Sequence, residues 1–512
     1  MKRMSIAGLR WGLLVAVVFT LVLSQPKRGG AQPAAKGLVA GDTAVPITLV
    51  AALQFAEASN LDIAQAREAV NQARAALLRA QVQLLPNFNL GSIYTHHEGT
   101  AQKTEGNIIF ANKDSLFVGG GPSLIFQTTD ALFGPSVARQ LTLAAQAGAQ
   151  RVNLETLLSV IDAYSTVQLA RRRLARADDT LDALTSEEPA ASRAKLKGAL
   201  PLIRDFVKAG GKEALESDLA RLQVEVLRRR EERVGIIQDY RVQSAELARL
   251  LRLDPQVALL PLEDLRYPMP LSGESYYKRP TDELVGLALA NRPELAENQA
   301  LVQAALARLR AAKLRPFLPN VALNYSWGDF GGSPDPNPPI KQGGKLVAQP
   351  GFGPSGRILH FDPRTDFDVS LFWRLQNMGF GNRAEVRESE SIQRQATMRR
   401  QAAYDRVIAQ VVQAQENARD WAERLTETRA ALFDAAGAPN GPVYRAILLN
   451  FARIKGGEGR PLEVVDSIRL MADSLEAYAQ AVTGYERAQL RLMLVLGLPV
   501  ESILPADEKP VK

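Results

Sequence analysis

The sequence predicts a mainly α-helical protein with a membrane β-barrel contribution, built twice over on one plan. Three observations carry this. Leu85-Pro86-Asn87 returns as Leu318-Pro319-Asn320, 233 residues later, and its surroundings return with it. Two long stretches, between Pro135 and Pro189 and between Pro363 and Pro439, contain no proline and repeat apolar residues at helical spacing. Between them and the Leu-Pro-Asn marks, the pattern switches to alternation of apolar and polar residues, the period of a strand. Each half therefore reads helix, helix, strand, strand, long helix, helix. A repeat this long is a duplicated half-protein and not a solenoid of small units.

The chain divides into a signal segment at 1–31, a linker at 32–46, a first repeat at 47–270, a second at 271–505 and a tail at 506–512. Lys2, Arg3 and Arg10 form a basic start, Leu13 to Leu23 an apolar core, and Gly29-Gly30-Ala31 a small-residue cleavage site. No later stretch approaches the roughly 18 continuous apolar residues of a spanning helix. A membrane crossing must then be made by strands. The formal charge of +7 comes from 62 basic and 55 acidic residues. Five of the basic residues and none of the acidic ones lie in 1–31, which leaves +2 for the rest. That removes the electrostatic basis for a nucleic-acid partner. With no cysteine, disulfides, thiolate metal sites and cysteine nucleophiles are excluded.

The elements follow in order. Thr48 is expected to cap a short helix through Ala58, with a second from Leu61 to Leu84 stopped by Pro86. In the second half Thr281 is the expected cap, Pro293 suits a first helical turn, and Pro316 and Pro319 end the run. Phe88, Leu90 and Tyr94, then Leu116, Val118, Leu124 and Phe126, mark the first strand pair. Val321, Leu323, Tyr325 and Trp327, then Phe367, Val369, Leu371, Trp373 and Leu375, mark the second, with Asp329 to Thr365 as a long turn between them. Aromatic-rich strands of about ten residues match outer-membrane barrel strands. The same alternation also suits a half-buried sheet in a soluble domain.

The long helices are expected over about Ala131 to Leu184 and Asn382 to Phe433. Leu154, Leu157, Leu158, Ile161, Tyr164 and Val167 line one face of the first. Val407, Val411, Ala414, Ala418, Trp421 and Leu425 line one face of the second. Helices of this length imply coiled-coil-like pairs. Gly-rich breaks at Gly210-Gly211 and Gly456-Gly457 then lead into the last helix of each half. Two hairpins give four strands, whereas a closed membrane barrel needs at least about eight. Four strands would leave two open edges in lipid, so several chains must pool them. Three copies give twelve strands, continued by a helical cylinder.

The duplicated order, Asn291-Arg292-Pro293-Glu294-Leu295, the two Leu-Pro-Asn marks, and Gly457 followed by Leu462-Glu463-Val464-Val465-Asp466 resemble the TolC-like outer-membrane efflux proteins. The likeness runs from about Ile47 to Leu504. It implies a homotrimer with a shared 12-stranded barrel in the outer membrane and a trimeric α-helical barrel across the periplasm. It also implies a passive duct of a tripartite efflux or type I secretion system, gated at its periplasmic tip. A periplasmic adaptor and an inner-membrane transporter are the implied partners, with outer-membrane lipid. A periplasmic helical adaptor bridging two membranes is the alternative, although two aromatic strand pairs have no role in it.

The resemblance points to Glu463 and Asp466, three residues apart on one helix face, as an acidic pore ring. Carboxylates there also suit a helix N-terminus without any pore. It further points to Glu216 and Arg460 as a tip-closing contact, although Phe451 stands where the family's tyrosine would. Gly210, Gly211, Gly456 and Gly457 would form the adaptor-facing tip. Residues 186–190 and 436–442 interrupt helices that are continuous in familiar members, which implies a modified tip. Four further features carry no expected site. His96-His97-Glu98 is read as an outer loop with no further ligands, and Gly119-Gly120-Gly121 as a strand irregularity. The runs Arg171 to Arg173 and Arg228 to Arg230 are read as solvated helix faces. No catalytic constellation, cofactor or metal site is expected.

Overall fold

The computed structural model describes residues 45–499, apart from 103, 105, 188–197, 209–215, 265–266, 270–275, 334–339, 343–344, 348–358, 436 and 457–458. The expected signal segment and C-terminal tail, and most of the linker, lie outside the described residues.

The first half comprises β1 (Val45–Ile47), α1 (Leu49–Ser59), α2 (Leu61–Gln81), β2 (Asn87–Gln102), β3 (Ile108–Gln127), α3 (Thr128–Thr185), α4 (Ala199–Lys208), α5 (Glu216–Leu251) and β4 (Leu259–Pro261). The second comprises α6 (Thr281–Asn291), α7 (Pro293–Leu314), β5 (Asn320–Ser333), β6 (Ile340–Gln342), β7 (Lys345–Val347), β8 (Leu359–Phe372), α8 (Phe380–Leu432), α9 (Pro442–Lys455) and α10 (Pro461–Val495). The expected order recurs in both halves. β1 pairs in parallel with β4, so the end of the expected linker is already part of the fold and ties the start of the first repeat to its finish.

Matching positions in the two halves do matching jobs. Thr48 caps α1 as expected, its hydroxyl accepting the Ala51 amide at 3.2 Å. Asn60 then joins α1 to α2, as Arg292 joins α6 to α7. Pro293 takes the first turn of α7 as expected. Thr281, however, is not a cap. Pro280 holds the extended cap position, and Thr281 is helical, with its hydroxyl donating to Gln415 of α8 at 2.8 Å. Helices α5 and α10 end in the same hydrogen-bonded turn, Leu253 N to Ala248 O and Leu498 N to Met493 O. The residue that turns left-handed is Arg252 in one and Gly497 in the other.

The two long helices span 58 and 53 residues, roughly 85 and 80 Å. They run the full length of the helical body, and shorter helices fill the spaces beside them. Nearer the sheet the neighbour order is α2, α3, α7, α8; farther from it the order is α5, α3, α10, α8. Within each half a helix from the sheet side therefore hands its place to one from the far side. The antiparallel sheet repeats the upper order, β2-β3-β5-β8, because each strand is continuous with its own helix.

Three apolar clusters hold the helical body. Leu157, Ile161 and Tyr164 of α3 meet Leu49 and Leu53 of α1 with Leu247 of α5. Val407, Val411 and Ala418 of α8 meet Leu284 and Ala288 of α6 and Leu492 of α10. At the end remote from the sheet, Leu184, Ile203, Leu222, Leu432, Phe451 and Ile468 join six helices. The expected helical stripes are thus core, although Leu154, Leu158, Trp421 and Leu425 are only partly buried.

Both turns ahead of the tip helices interrupt the bundle in the same way. Gly198 N donates to Ser186 O at 2.7 Å, and Gly441 N donates to Leu432 O at 3.1 Å, each just before α4 or α9 begins. A Cβ on Gly198 would lie 2.6 Å from Ser186 N, and one on Gly441 would lie 2.5 Å from the Leu432 carbonyl carbon. Each excursion is therefore tied at its base to the end of a long helix. Most of the first one, including residues 188–190, lies outside the described residues.

Candidate functional site

The register of the four-stranded sheet sorts its side chains into two faces. Leu90, Gly120, Trp327 and Thr365 lie side by side, as do Leu124, Leu323 and Val369, and Phe126, Val321 and Leu371. One residue along, Asn89, Gly121, Ser326 and Asp366 belong to the opposite face, with Asn324 paired to Asp368 and Ser123. One face is apolar and aromatic; the other is rich in Asn, Ser and Asp. On the apolar face Phe88 is 67% exposed, Leu90 72%, Trp327 63% and Phe367 68%. That is a contiguous apolar surface that no described residue covers. Among the described residues, strands β2 and β8 pair on one side only, leaving two open edges.

Gly119 and Gly120 sit within β3, in keeping with the strand reading, and mark a close contact between strands. A Cβ on Gly119 would lie 2.5 Å from Gly328 Cα, and one on Gly120 would lie 1.9 Å from Asn89 O. Gly91, Gly119 and Gly328 form one cross-strand row on the polar face. Two other expectations for this region change. His96 and His97 lie in β2 and not in an outer loop; His96 Nδ1 and the Tyr94 hydroxyl both hydrogen-bond Asp114 Oδ1, at 2.7 and 2.8 Å. The long turn after β5 is shorter than expected, since β5 runs to Ser333 and β8 starts at Leu359 with the β6–β7 hairpin between them.

At the remote end, Glu463 stands in the first turn of α10 and Asp466 one turn on. Glu463 bonds Arg453 of α9 at 2.8 Å, while Asp466 is 61% exposed and meets Arg469 only at 3.7 Å. Glu216 is exposed in the first turn of α5, and Arg460 caps α10. No ion pair joins Glu216 to Arg460 among the described residues. Gly210, Gly211 and Gly457 lie outside the described residues. Gly456 ends α9 with φ −74°, an ordinary conformation. The glycine that the turn requires is Gly459, where a Cβ would lie 2.9 Å from Ile454 N. Phe451 is 4% exposed within the apolar tip cluster, a place that suits a phenyl ring and would bury a hydroxyl.

The first arginine run overturns its expectation most clearly, whereas Arg228 and Arg230 of the second are exposed as expected. Three consecutive helical residues cover about 200° of arc, so a helix with neighbours on both sides must bury one of them. Arg172 is fully buried. Its guanidinium donates to both oxygens of Glu486 at 2.9 Å, to Thr483 at 2.7 Å and to the Asp264 carbonyl at 3.2 Å. Met269 N donates to the same carboxylate at 2.7 Å, so the pair also fastens the segment between the repeats. Arg173 bonds Glu476 at 2.6 Å, and Arg229 bonds Glu225 and Glu232. Glu225 is buried between Arg229 and Arg469 of α10, which lies 2.9 Å away. Burial pushes its carboxyl up, but the guanidinium of Arg469, then that of Arg229, outweighs it and the net shift is downward. Glu225, Arg469 and Glu486 escaped sequence reading because no local spacing reveals a partner more than 200 residues away.

No family model matches the sequence, and no curated protein does. Solved structures do match. The outer membrane protein VceC from Vibrio cholerae superposes with a TM-score of 0.68 at 14% identity, over 88% of this chain and 96% of that one. A membrane protein from Pseudomonas aeruginosa gives 0.67 at 20% identity, over 88% and 93%. The open state of the Neisseria gonorrhoeae MtrE outer membrane channel gives 0.62 at 18% identity, over 90% and 91%. The chain has the fold of outer-membrane channel proteins. It is the fold that the TolC-like marks of the sequence had implied.

Proposed function

We propose that this protein is the outer-membrane channel of a tripartite efflux or type I secretion system, a passive duct and not an enzyme. The observation that carries the proposal is the coincidence of its unfinished edges. The open strand β2 and the edge helices α2 and α5 lie on one side of the panel; the open strand β8 and the edge helix α8 lie on the other. The edge helices carry exposed apolar residues, Val224, Leu227 and Val234 on α5 and Met398, Tyr404 and Ile408 on α8. A contact between unlike sides of identical chains closes into a ring when the rotation fits. Three copies would pool twelve strands, with the aromatic face toward lipid and the polar face lining the bore. The helical body would then extend through the periplasm. Its tip, with Leu448, Leu449 and Leu462 exposed, would meet a periplasmic adaptor that joins it to an inner-membrane transporter.

In this assembly Asp466, and Glu463 beside Arg453, would ring the tip, and Glu216 would stand near it. The decisive experiment extracts the protein from outer membranes, measures its native mass and records its conductance in planar bilayers. The expected result is a heat-modifiable trimer that conducts, with cation selectivity weakened by Glu463→Ala and Asp466→Ala together. A monomer released by salt would sink the proposal, and unchanged selectivity in the double variant would remove the acidic ring.

A further inference from the structure

The two handovers between helices leave two gaps of similar size and opposite character. In the first repeat α2 gives way to α5 beside α3, leaving a cavity of about 440 Å³ lined by Asp62, Glu155, Gln65 and small or apolar side chains. In the second repeat α7 gives way to α10 between α3 and α8, leaving one of about 450 Å³. Four arginines line it, Arg151, Arg292, Arg406 and Arg491.

Three carboxylates share that wall, and two arginines use them up. Arg151 bonds Glu297 at 2.9 Å and Glu155 at 3.0 Å, and Arg292 bonds Glu294 at 2.8 Å and the side chain of Gln410. Arg491 is left 3.9 Å from Asp162, whose closer partner is Arg487 at 2.5 Å. Arg406 is exposed and has no hydrogen bond or ion pair among the described residues. Arg292 adds a second and independent sign. Its side chain is 7% exposed, yet its Nε is buried with no acceptor. A donor in that state is what a bound acceptor would satisfy. The first turn of α7, beginning at Pro293, opens beside the same cavity and adds positive potential. Asn298, Gln413 and Asn417 supply further polar groups, while Leu154, Leu158 and Val495 form an apolar wall.

We propose that this cleft binds a small organic anion, a carboxylate or phosphate group held by Arg406 and Arg491 with its carbon body against Leu154 and Leu158. The matching gap of the first repeat, with Asp62 and Glu155 on its wall and no arginine, binds none. Planar guanidinium forks recognise such oxyanions through paired hydrogen bonds.

The test titrates phenyl phosphate into the full-length detergent-solubilised protein in low-salt buffer, by calorimetry and by thermal shift. Saturable binding is expected, tighter than that of inorganic phosphate because of the apolar wall. Arg406→Gln with Arg491→Gln should weaken it about tenfold or more. Arg406→Gln alone, which breaks no contact among the described residues, should weaken it by a smaller factor while the protein melts as before. Asp62→Asn should leave it unchanged. Absence of saturable binding, or binding indifferent to both arginine variants, would overturn the site. Equal affinity for phenyl phosphate and inorganic phosphate would overturn its preference for an organic body.

Discussion

Helix α10 is gripped on two sides by opposite means. Against α3 the seam is polar: Arg172 clasps Glu486 and Thr483, Arg173 bonds Glu476, and Arg176 stacks on Tyr478 with 5.2 Å to the ring centroid. Against α8 it is apolar and close. A Cβ on Gly484 would lie 2.4 Å from the Trp421 ring, and Leu492 packs near Val407 and Val411. A buried ion pair demands its own geometry and fails badly when one member is lost. Apolar contacts tolerate some sliding but not added volume. One helix thus has a seam that fixes its position and a seam that only excludes water.

Three substitutions would break or sharpen that contrast. The largest effect is expected from Glu486→Ala, which leaves Arg172 buried without its partner and should cost about 3–5 kcal/mol. Chemical unfolding of the purified protein measures it, and a loss below about 1 kcal/mol would mean water repairs the site. Gly484→Val should come next, at about 1–3 kcal/mol, because Trp421 must move to admit the side chain. A repacked α8–α10 seam would show as altered tryptophan fluorescence, since Trp421 is one of four tryptophans. The smallest effect belongs to the neighbouring pair between α5 and α10, Glu225 and Arg469. The Glu225 carboxyl is held below its ordinary range, so its contribution is full at neutral pH and fades only as acid protonates it in the folded state. Arg469→Gln should therefore lower stability at neutral and higher pH, where the carboxylate is ionised, with the deficit disappearing in acid so that the acid side of the stability–pH profile flattens. An unaltered acid limb would show that Arg229 alone holds the carboxylate.

Much of the architecture was legible because it is written in periodicity. The change of period at Leu-Pro-Asn located the strands, and the proline-free runs located α3 and α8 to within three residues at each end. Local chemistry was less reliable. Thr281 resembles a cap by analogy with Thr48, but Pro280 takes that position and frees the hydroxyl for Gln415. Strand ends past Asp329 were missed because glycine and aspartate there look like turn residues, although β5 continues through them to Ser333. The site was least legible. Arg172 and Glu486 are 314 positions apart, and neither has neighbours that suggest burial. The cleft is formed where two helices stop, so no one segment of sequence contains it.

The glycine row of the sheet has its own consequence for passage through such a duct. Where Gly91, Gly119 and Gly328 lie side by side, the row itself adds no side chain to the polar face, although the Phe117 ring reaches over Gly119 and Arg364 bounds the row at the next strand. In the proposed duct, a solute moving past would meet amide dipoles there that cannot swing aside or change charge. The glycines of that row would add no selectivity of their own, and any choosiness would come from Arg364 beside them and from side chains elsewhere along the path.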